Sequence, residues 1–365
     1  MSTVLARGTV HTGGRVVPDG WVLLRAGEVV AVGTGPAPAA DEVITGAHVV
    51  PGFVDVHCHG GGGASFGGSL EDARTVAAVH RAHGTTTLVA SLVTRPVDEL
   101  AATLDAYADL VTDGVLAGVH LEGPWLSPLH QGAHDPSLLR EPEPGDLDRL
   151  LGTGLVRVVT LAPELPGGLA AVERIVAAGA VAAIGHTDAD AATARRAVDA
   201  GVSLATHLFN AMPPLHHRAP GAVGALLDDD RVTVELIADG VHLDPLVVSL
   251  AAHRAGRGRV ALVTDAMAAT GSADGRYLLG DLEVDVVDGV ARLVEGGSIA
   301  GSTLTLDHAL RFAVLTAGID LDDALAALTS TPARVLGRTD VGHLEPGARG
   351  GAVVLDDGLT LQRVL

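Results

Sequence analysis

Eight short apolar segments of β-strand character recur along this chain, and their regular spacing is the feature that most restricts its fold. They occupy residues 50–57, 85–93, 115–121, 156–162, 181–185, 203–208, 232–238 and 260–264. Between most of them lie Ala-rich amphipathic stretches such as LEDARTVAAVHRAHG and GGLAAVERIVAAGA, several closed by the glycine that commonly follows a helix. Eight strands alternating with helices predict an α/β fold, a (β/α)8 TIM barrel.

The two chain ends follow a different pattern. Residues 1–50 and 338–365 contain short strand-like runs and turn signals without helical periodicity. Because the termini of a domain often lie close together, both ends are predicted to form one small β-sandwich domain. The predicted organisation is therefore a sandwich of residues 1–50 and 338–365 and a catalytic barrel of residues 51–337. A hairpin-like insert, GRYLLGDLEVDVVDGVARLV, follows the eighth barrel segment.

Charge and hydropathy restrict the partners of the chain. The formal net charge is −20, from 44 acidic and 24 basic residues, and no Lys/Arg run is present, which argues against nucleic acid and anionic membranes as partners. No uncharged apolar run reaches the roughly 18 residues that span a bilayer, and the first residues lack a hydrophobic signal segment. The single cysteine, Cys58, agrees with a reducing compartment. A cytoplasmic protein is expected.

Ionisable residues follow the ends of several predicted barrel strands. The first, PGFVDVHCHG, carries His57 and His59, whose side chains leave the same face of a strand. An H-x-H pair is a weak signal by itself, since surface strands carry such pairs by chance. All strands of a TIM barrel end at one mouth, however. Four more ionisable residues reach that mouth: Glu122 in HLEGP, His186 in AIGHTDA, His207 in THLFNAM and Asp265 in LVTDAM.

These six residues together predict a metal site. His186 and His207 are separated by one βα repeat, which places them on adjacent strands, and with Glu122 they form a three-ligand set that leaves room for water. His57, His59 and Asp265 could hold a second ion. Nitrogen and carboxylate ligands without thiolate suit Zn²⁺, Fe²⁺, Mn²⁺ or Co²⁺ and do not distinguish among them. Any one of these histidines alone is better explained as a core residue, so the prediction depends on the set.

Longer motifs extend over nearly the whole barrel. The stretches PGFVDVHCHG, HLEGP, QGAHDP, IGHTDA, THLFNAMPPLHHRAPG, IADGVHL, LVTDAM and SIAGSTLTLD closely resemble the N-acetylglucosamine-6-phosphate deacetylases of the amidohydrolase superfamily. The resemblance implies a metal-dependent hydrolase barrel flanked by a β-sandwich. It also implies hydrolysis of the N-acetyl group of N-acetyl-D-glucosamine 6-phosphate, giving D-glucosamine 6-phosphate and acetate, in amino-sugar catabolism and cell-wall recycling. Some members lack the first two histidines and use one metal; this chain has both, so one or two ions are possible.

The resemblance further implies roles for single residues. Asp265 would act as general base and acid, and His242 would contact the sugar and polarise the acetyl carbonyl. His134 would contact the sugar as well. The 6-phosphate would be bound by Asn210, Ala211 and Arg218, with Arg218 acting within its own chain or across a homodimer.

One departure from the family and two alternative functions remain open. His130 and Gln131 stand where relatives often have a lysine pair, so the role of that loop is not assigned. Another amidohydrolase, acting on a different N-acyl sugar or a cyclic amide, would keep the metal ligands without needing a phosphate site. A non-catalytic sugar-phosphate-binding homologue would keep the phosphate site but should have lost Asp265 or a metal ligand.

Overall fold

Strands from both chain ends form one six-stranded sheet in the computed structural model, which describes residues 2–365. Its order is β19-β18-β4-β1-β2-β3, with β1 (Thr3–Thr12), β2 (Arg15–Arg25), β3 (Glu28–Thr34), β4 (Glu42–Pro51), β18 (Ala352–Leu355) and β19 (Leu361–Val364). Side chains from both ends, among them Val10, Val49, Leu344 and Val354, bury one another in a separate small core. The prediction that the termini form a β unit apart from the barrel is confirmed. The division at residues 50/51 and 337/338 stays a prediction.

Strands from the middle of the chain form the predicted barrel. Within the described residues, eight parallel strands pair in sequence order, each with the next barrel strand. They are β5 (Phe53–Cys58), β8 (Thr85–Leu92), β9 (Gly118–Glu122), β10 (Val156–Leu161), β11 (Val181–Ile184), β12 (Leu204–Ala205), β13 (Thr233–Leu236) and β14 (Val260–Leu262). Each coincides with one of the eight apolar segments, which confirms the predicted (β/α)8 barrel. Two short strands, β6 (Gly60–Gly61) and β7 (Ala64–Ser65), form a small hairpin after β5.

The barrel closes between β5 and β14 through contacts just beyond the end of β14. The Asp265 backbone N–H donates to the His57 carbonyl at 2.8 Å, and the His59 N–H donates to the Ala266 carbonyl at 2.8 Å. The fully buried carboxylate of Asp55 adds a side-chain link, because it accepts a hydrogen bond from the Thr264 hydroxyl at 2.6 Å. The closure therefore joins the strand that carries His57, and His59 directly after it, to the segment that carries Asp265.

Within residues 2–365, ten α-helices surround the barrel or connect it to the terminal sheet. They are α1 (Leu70–Ala82), α2 (Val97–Thr112), α3 (Pro144–Leu151), α4 (Gly168–Ala177), α5 (Ala191–Asp199), α6 (Gly221–Asp228), α7 (Pro245–Ala255), α8 (Leu306–Arg311), α9 (Leu321–Leu328) and α10 (Ser330–Val335). Local sequence sets their starts. Ser69 and Asp72 form a reciprocal capping box at α1, and Asp190 and Asp244 cap α5 and α7.

The insert after the eighth strand is a three-stranded antiparallel sheet. Its strands are β15 (Gly275–Leu279), β16 (Leu282–Val287) and β17 (Val290–Leu293). Buried residues of this insert pack against the segment 267–269, so the insert lies beside the mouth of the barrel. Among the described residues 2–365, no helix combines the length and the apolar character needed to cross a membrane.

Candidate active site at the barrel mouth

Most of the predicted site residues, though not His57 and Arg218, line one cavity at the carboxyl ends of the barrel strands. The cavity has a volume of about 320 Å³, and its lining includes His59, Glu122, His134, His186, His207, Asn210, Ala211, His242 and Asp265. Larger cavities of about 600 Å³ beside the insert and about 440 Å³ at the opposite end of the barrel contain none of these residues. We therefore place the site by its chemistry and not by cavity size.

Three site residues adopt a backbone conformation that non-glycine residues rarely take. His186, His207 and Asp265 have φ values of 48°, 30° and 47°, each directly after a buried barrel segment. The left-handed region costs an L-residue roughly 1–2 kcal/mol. Such outliers cluster at functional sites, where the surrounding fold imposes them. The backbone turn at these positions ends the strand and directs the side chain into the mouth.

Glu122 lies between two groups of possible ligands. Its Oε1 is 3.2 Å from His186 Nε2 and 3.0 Å from His207 Nε2, and these two nitrogens are 3.0 Å apart. On the other side, Glu122 Oε2 is 3.1 Å from His59 Nε2. The sequence-based assignment placed Glu122 with His186 and His207 only; the structure adds contacts to the His57/His59 group.

The second group consists of His57, His59 and Asp265. The Nε2 atoms of the two histidines are 3.1 Å apart, and Asp265 Oδ1 lies 3.5 Å from His57 Nε2 and 3.4 Å from His59 Nε2. Ligand atoms bound about 2.0–2.2 Å from one ion lie about 3–3.5 Å from each other. The spacing within both groups fits ligands that share a cation.

The hydrogen-bond partner of Nδ1 determines which nitrogen of each ring can bind a metal. His59 Nδ1 faces the Ser91 carbonyl at 3.1 Å, and His186 Nδ1 faces the His130 carbonyl at 2.9 Å. A carbonyl only accepts, so each Nδ1 must carry the proton, and Nε2 of the neutral ring presents a lone pair to the mouth. Lone pairs would then oppose the Glu122 oxygens at close range, unless a cation lies between them. The residues present therefore fit a divalent metal.

The ring of His134 carries its proton on Nε2 instead of Nδ1, although its distances resemble those of a metal ligand. Its Nε2 lies 3.3 Å from Glu122 Oε2, and its ligand atom groups with those of Glu122 and His186. The Thr94 backbone N–H, however, donates to His134 Nδ1 at 3.2 Å. Nδ1 must then be unprotonated, and Nε2–H of the neutral ring donates to Glu122. Burial lowers the pKa of His134 to about 4, which favours this neutral form. His134 thus acts as a hydrogen-bond donor at the site.

The electrostatics of the mouth favour bound positive charge. Burial opposes the charged form of His57, yet the neighbouring carboxylates Glu122, Asp265 and Glu235 outweigh it and raise its pKa well above the ordinary value. Burial likewise opposes the charge on His59, but hydrogen bonds with Asp265 and Glu122 raise its pKa to about 9. The carboxylates therefore attract a proton or a metal ion to these ring nitrogens.

His242 faces the cavity with support from Asp239. Its Nδ1 donates to Asp239 Oδ2 at 2.7 Å, which leaves Nε2 as the other polar atom of the ring. Burial lowers the pKa of His242, but the hydrogen bond and charge of Asp239 outweigh burial, so the pKa lies above its ordinary value. A protonated His242 has a hydrogen-bond donor available at Nε2.

The expected phosphate-binding residues are not all at the cavity. Asn210 and Ala211 line it, and Ala211 has a left-handed backbone with φ of 51°. Arg218 lies on an exposed loop outside the lining, where its Nη1 contacts His217 Nε2 at 2.8 Å. Within residues 2–365 it forms no ion pair with a carboxylate. A single chain therefore does not bring Arg218 to the other site residues.

The loop with His130 and Gln131 supports His186. Besides accepting from His186 through its carbonyl, His130 contacts Asp188 Oδ1 through Nε2 at 3.0 Å. Gly132 lies against the His186 ring: a Cβ at Gly132 would be only 2.9 Å from His186 Cε1, and its φ is 59°. The loop thus positions a site histidine through its backbone and through a glycine that larger residues could not replace.

A buried polar layer beneath the mouth was not anticipated from the sequence. Ser91 Oγ contacts His120 Nδ1 at 2.9 Å, and His120 Nε2 contacts Thr160 Oγ1 at 2.8 Å. Glu235, on β13, contacts His57 Nδ1 at 3.0 Å. The sequence does contain one signal of this layer: Glu235 lies within the apolar run RVTVELIA, where an unpaired carboxylate would be costly.

Comparisons with known proteins show related sequences over most of the chain. Residues 48–363 match the model of the Amidohydrolase family. The chain is 38% identical to N-acetylgalactosamine-6-phosphate deacetylase of Escherichia coli O157:H7, over 95% of this chain and 94% of that protein. It is 39% identical to N-acetylglucosamine-6-phosphate deacetylase of Bos taurus, over 86% of this chain and 81% of the relative.

A solved structure is also similar over the full length. It is an aspartate-to-alanine variant of N-acetyl-D-glucosamine-6-phosphate deacetylase from Mycobacterium smegmatis in complex with N-acetyl-D-glucosamine-6-phosphate. It is 47% identical, covers 100% of this chain and 98% of its own, and has a TM-score of 0.95.

The contrasting tautomers of His186 and His134 generate a prediction about metal binding. His186→Ala should lose most of its bound metal, because one of three protein ligands is removed. His134→Ala should still bind the ion, with affinity reduced by no more than about 10–100-fold, because only a hydrogen bond to a ligand is lost. Titration of the metal-free variants with Co²⁺ would measure both affinities. Equal loss of binding in the two variants would show that His134 is itself a ligand.

Proposed function

Because this chain belongs to the amidohydrolase family, we propose that it hydrolyses the N-acetyl group of N-acetyl-D-glucosamine 6-phosphate, giving D-glucosamine 6-phosphate and acetate. The observation that carries the proposal is the single cavity lined by Asp265, His242 and the ligand set of Glu122, His186 and His207. A base, a hydrogen-bond donor and a metal-binding group thus face the same small volume. Metal-assisted hydrolysis of an amide uses all three.

A divalent ion would be held by Glu122, His186 and His207, and a second by His57, His59 and Asp265. We propose Zn²⁺, Fe²⁺, Mn²⁺ or Co²⁺, since nitrogen and carboxylate donors suit all four. When bound, such an ion polarises a carbonyl and lowers the pKa of water from 15.7 to about 7. The carbonyls of Ser91 and His130 keep Nδ1 of His59 and Nδ1 of His186 protonated, so Nε2 of each ring remains available as a ligand.

Asp265 is the proposed general base and acid. Its carboxylate lies in the cavity lining, and His57 and His59 offset the burial that would otherwise favour its protonation, so its pKa is well below the ordinary value. Asp265 would accept a proton from the attacking water and later deliver it to the nitrogen of the departing amine. Such proton transfer contributes roughly 10²–10⁴-fold to the rate.

His242 and His134 would orient the substrate. With Nδ1 bound to Asp239, His242 can donate from Nε2 to the acetyl carbonyl oxygen, where negative charge develops in the transition state. His134 also lines the cavity and would contact the sugar, while its Nε2–H donates to Glu122. This hydrogen bond would keep the Glu122 carboxylate in place beside the substrate.

Arg218 is proposed to bind the 6-phosphate from the partner subunit of a homodimer, together with Asn210 and Ala211. Its exposed position outside the cavity of its own chain supports action in trans. Leu246 and Leu250 lie one turn apart on α7 and are 65% and 62% exposed, and Leu215, three residues before Arg218, is 54% exposed. We propose these three leucines as part of the subunit contact.

Two alternative substrates can be tested with the same preparation. Similarity to an N-acetylgalactosamine-6-phosphate deacetylase over 95% of this chain favours the 4-epimer as a second candidate. A cyclic amide would not need Arg218, Asn210 or Ala211.

We also propose a cytoplasmic role in amino-sugar catabolism and cell-wall recycling. The buried free thiol of Cys58 supports the cytoplasmic location, since free thiols persist in reducing compartments.

Replacement of the proposed base tests the function directly. The parent protein should release acetate from N-acetylglucosamine 6-phosphate, and Asp265→Asn should lower kcat by roughly 10²–10⁴-fold, because the isosteric amide cannot accept the proton. Acetate release would be measured on both epimers and on unphosphorylated N-acetylglucosamine. No acetate from any phosphorylated sugar would reject the proposal, and near-parent turnover in Asp265→Asn would reject the base.

The raised pKa of His242 predicts a shift in the pH dependence of catalysis. If protonated His242 is the donor, kcat should fall as the pH rises through its pKa. Asp239→Asn removes the charge that raises this pKa, so the alkaline limb should move to lower pH. The other Asp239 oxygen accepts from the backbone N–H groups of Val241 and His242, so the Asn side chain cannot keep all three hydrogen bonds, and circular dichroism should verify the fold of this variant. Asp244→Asn is a matched control, since Asp244 caps α7. An unchanged limb in Asp239→Asn would contradict the role of His242.

Removal of Arg218 should distinguish a phosphate-binding site from a general amidohydrolase site. Arg218→Ala should reduce kcat/KM for the phosphorylated sugar by about 3 kcal/mol or more, roughly 100-fold or more, because charge-assisted hydrogen bonds to the phosphate are lost. The rate on the unphosphorylated sugar should hardly change. Arg231→Ala, another exposed arginine, serves as the control. Equal losses on both sugars would indicate a structural role for Arg218.

Mixed dimers would show whether Arg218 acts across the subunit interface. Inactive Asp265→Asn chains and Arg218→Ala chains should regain part of the activity after mixing and subunit exchange, because some sites would combine an intact base with a donated arginine. Activity no higher than the sum of the separate variants, with mixed dimers verified by mass spectrometry, would place Arg218 in its own chain.

A further inference from the structure

Glu235 is a buried carboxylate to which the proposed reaction assigns no step. It lies on β13, whose other residues are Thr233, Val234 and Leu236, and its exposed fraction is 0%. A carboxylate in such a place is strongly destabilising unless it is paired and hydrogen-bonded. Its contacts therefore indicate what it does.

One oxygen of Glu235 connects the two ligand groups. Oε2 accepts from His57 Nδ1 at 3.0 Å and from the backbone N–H of His207 at 3.1 Å. His57 belongs to the group with His59 and Asp265, and His207 belongs to the group with Glu122 and His186. Glu235 contacts the first group through a ring nitrogen and the second only through the backbone, so its influence on the two groups is unequal.

The acceptor on His57 differs in kind from those on the other rings. His59 and His186 donate from Nδ1 to neutral carbonyls, and His207 Nδ1 has no partner among the described residues. Of the four histidines proposed as metal ligands, only His57 pairs its Nδ1 with a carboxylate. A charged acceptor holds the Nδ1 proton more strongly and makes Nε2 a stronger electron donor to a metal.

We propose that Glu235 is a positioning residue that controls whether the site of His57, His59 and Asp265 retains an ion. This inference deepens the proposed function, since it rests on the proposed metal ligands. Glu235 would keep His57 in the tautomer with a free Nε2 lone pair and strengthen that ligand. The ion at Glu122, His186 and His207 would depend on Glu235 far less.

Two substitutions separate the charge of Glu235 from its hydrogen bonds. In Glu235→Gln the side-chain oxygen can still accept from His57 and His207, and only the charge is lost. In Glu235→Ala the acceptor disappears, and His57 can change its tautomer or rotate. Glu235 Oε1 makes no hydrogen bond among the described residues, so the Gln NH₂ at that position breaks no existing contact.

Metal binding, measured without any assay of activity, tests the proposal. The metal-free parent, Glu235→Gln and Glu235→Ala would each be titrated with Co²⁺, with stoichiometry from elemental analysis and ligand environment from the visible absorption of Co²⁺. The parent should bind two ions. Glu235→Gln should bind the second ion about 10–100-fold more weakly, and Glu235→Ala should bind only one with high affinity. The first ion should retain its affinity and spectrum in both variants.

Thr160→Val is the matched control, because Thr160 is fully buried in the polar layer below the mouth and its hydroxyl contacts His120 and Thr206 but no proposed ligand. It should bind two ions like the parent, and circular dichroism should show that all variants are folded. Two tight ions in Glu235→Ala, equal loss of both ions, or a parent that binds only one ion would overturn the inference. A parent with two ions and no acetate release would instead reject the proposed function and leave the role of Glu235 intact.

Discussion

Burial of the Glu122 carboxylate among five imidazoles is the interaction on which the rest of the site depends. Its oxygens lie within 3.4 Å of ring nitrogens of His57, His59, His134, His186 and His207. These neighbours offset burial and keep the pKa of Glu122 well below its ordinary value. Because the five rings come from the ends of three strands and from one loop, a barrel that closed in a different register would leave a buried negative charge without partners, which is strongly destabilising.

The fold and most of this cluster could be predicted from sequence because both follow from periodicity. Apolar runs mark the strands, and ionisable residues at their ends, such as Glu122 and Asp265, must meet wherever parallel strands close into a barrel. The protonation of each ring could not be predicted in this way. His134 and His186 are both buried histidines beside Glu122, and only the partner of Nδ1, an N–H in one case and a carbonyl in the other, separates a donor from a ligand.

Glu235 and Arg218 show two further limits of the sequence. Glu235 lies inside a strand and not at its end, so its contact with His57 depends on the register of strands that are far apart in the chain. The resemblance implies that Arg218 binds the 6-phosphate, yet its own chain leaves it outside the cavity. A linear motif contains no information on which subunit would supply a residue to a site.

The left-handed backbone at His186, His207 and Asp265 has a consequence for attempts to make this protein more heat-resistant. Each of these positions carries a conformational penalty that glycine would relieve, as asparagine would in part. A selection that rewarded thermal stability alone would therefore favour replacing these residues. Stabilising libraries should keep these three codons fixed, because at these positions the gain in stability and the loss of chemistry come from the same substitution.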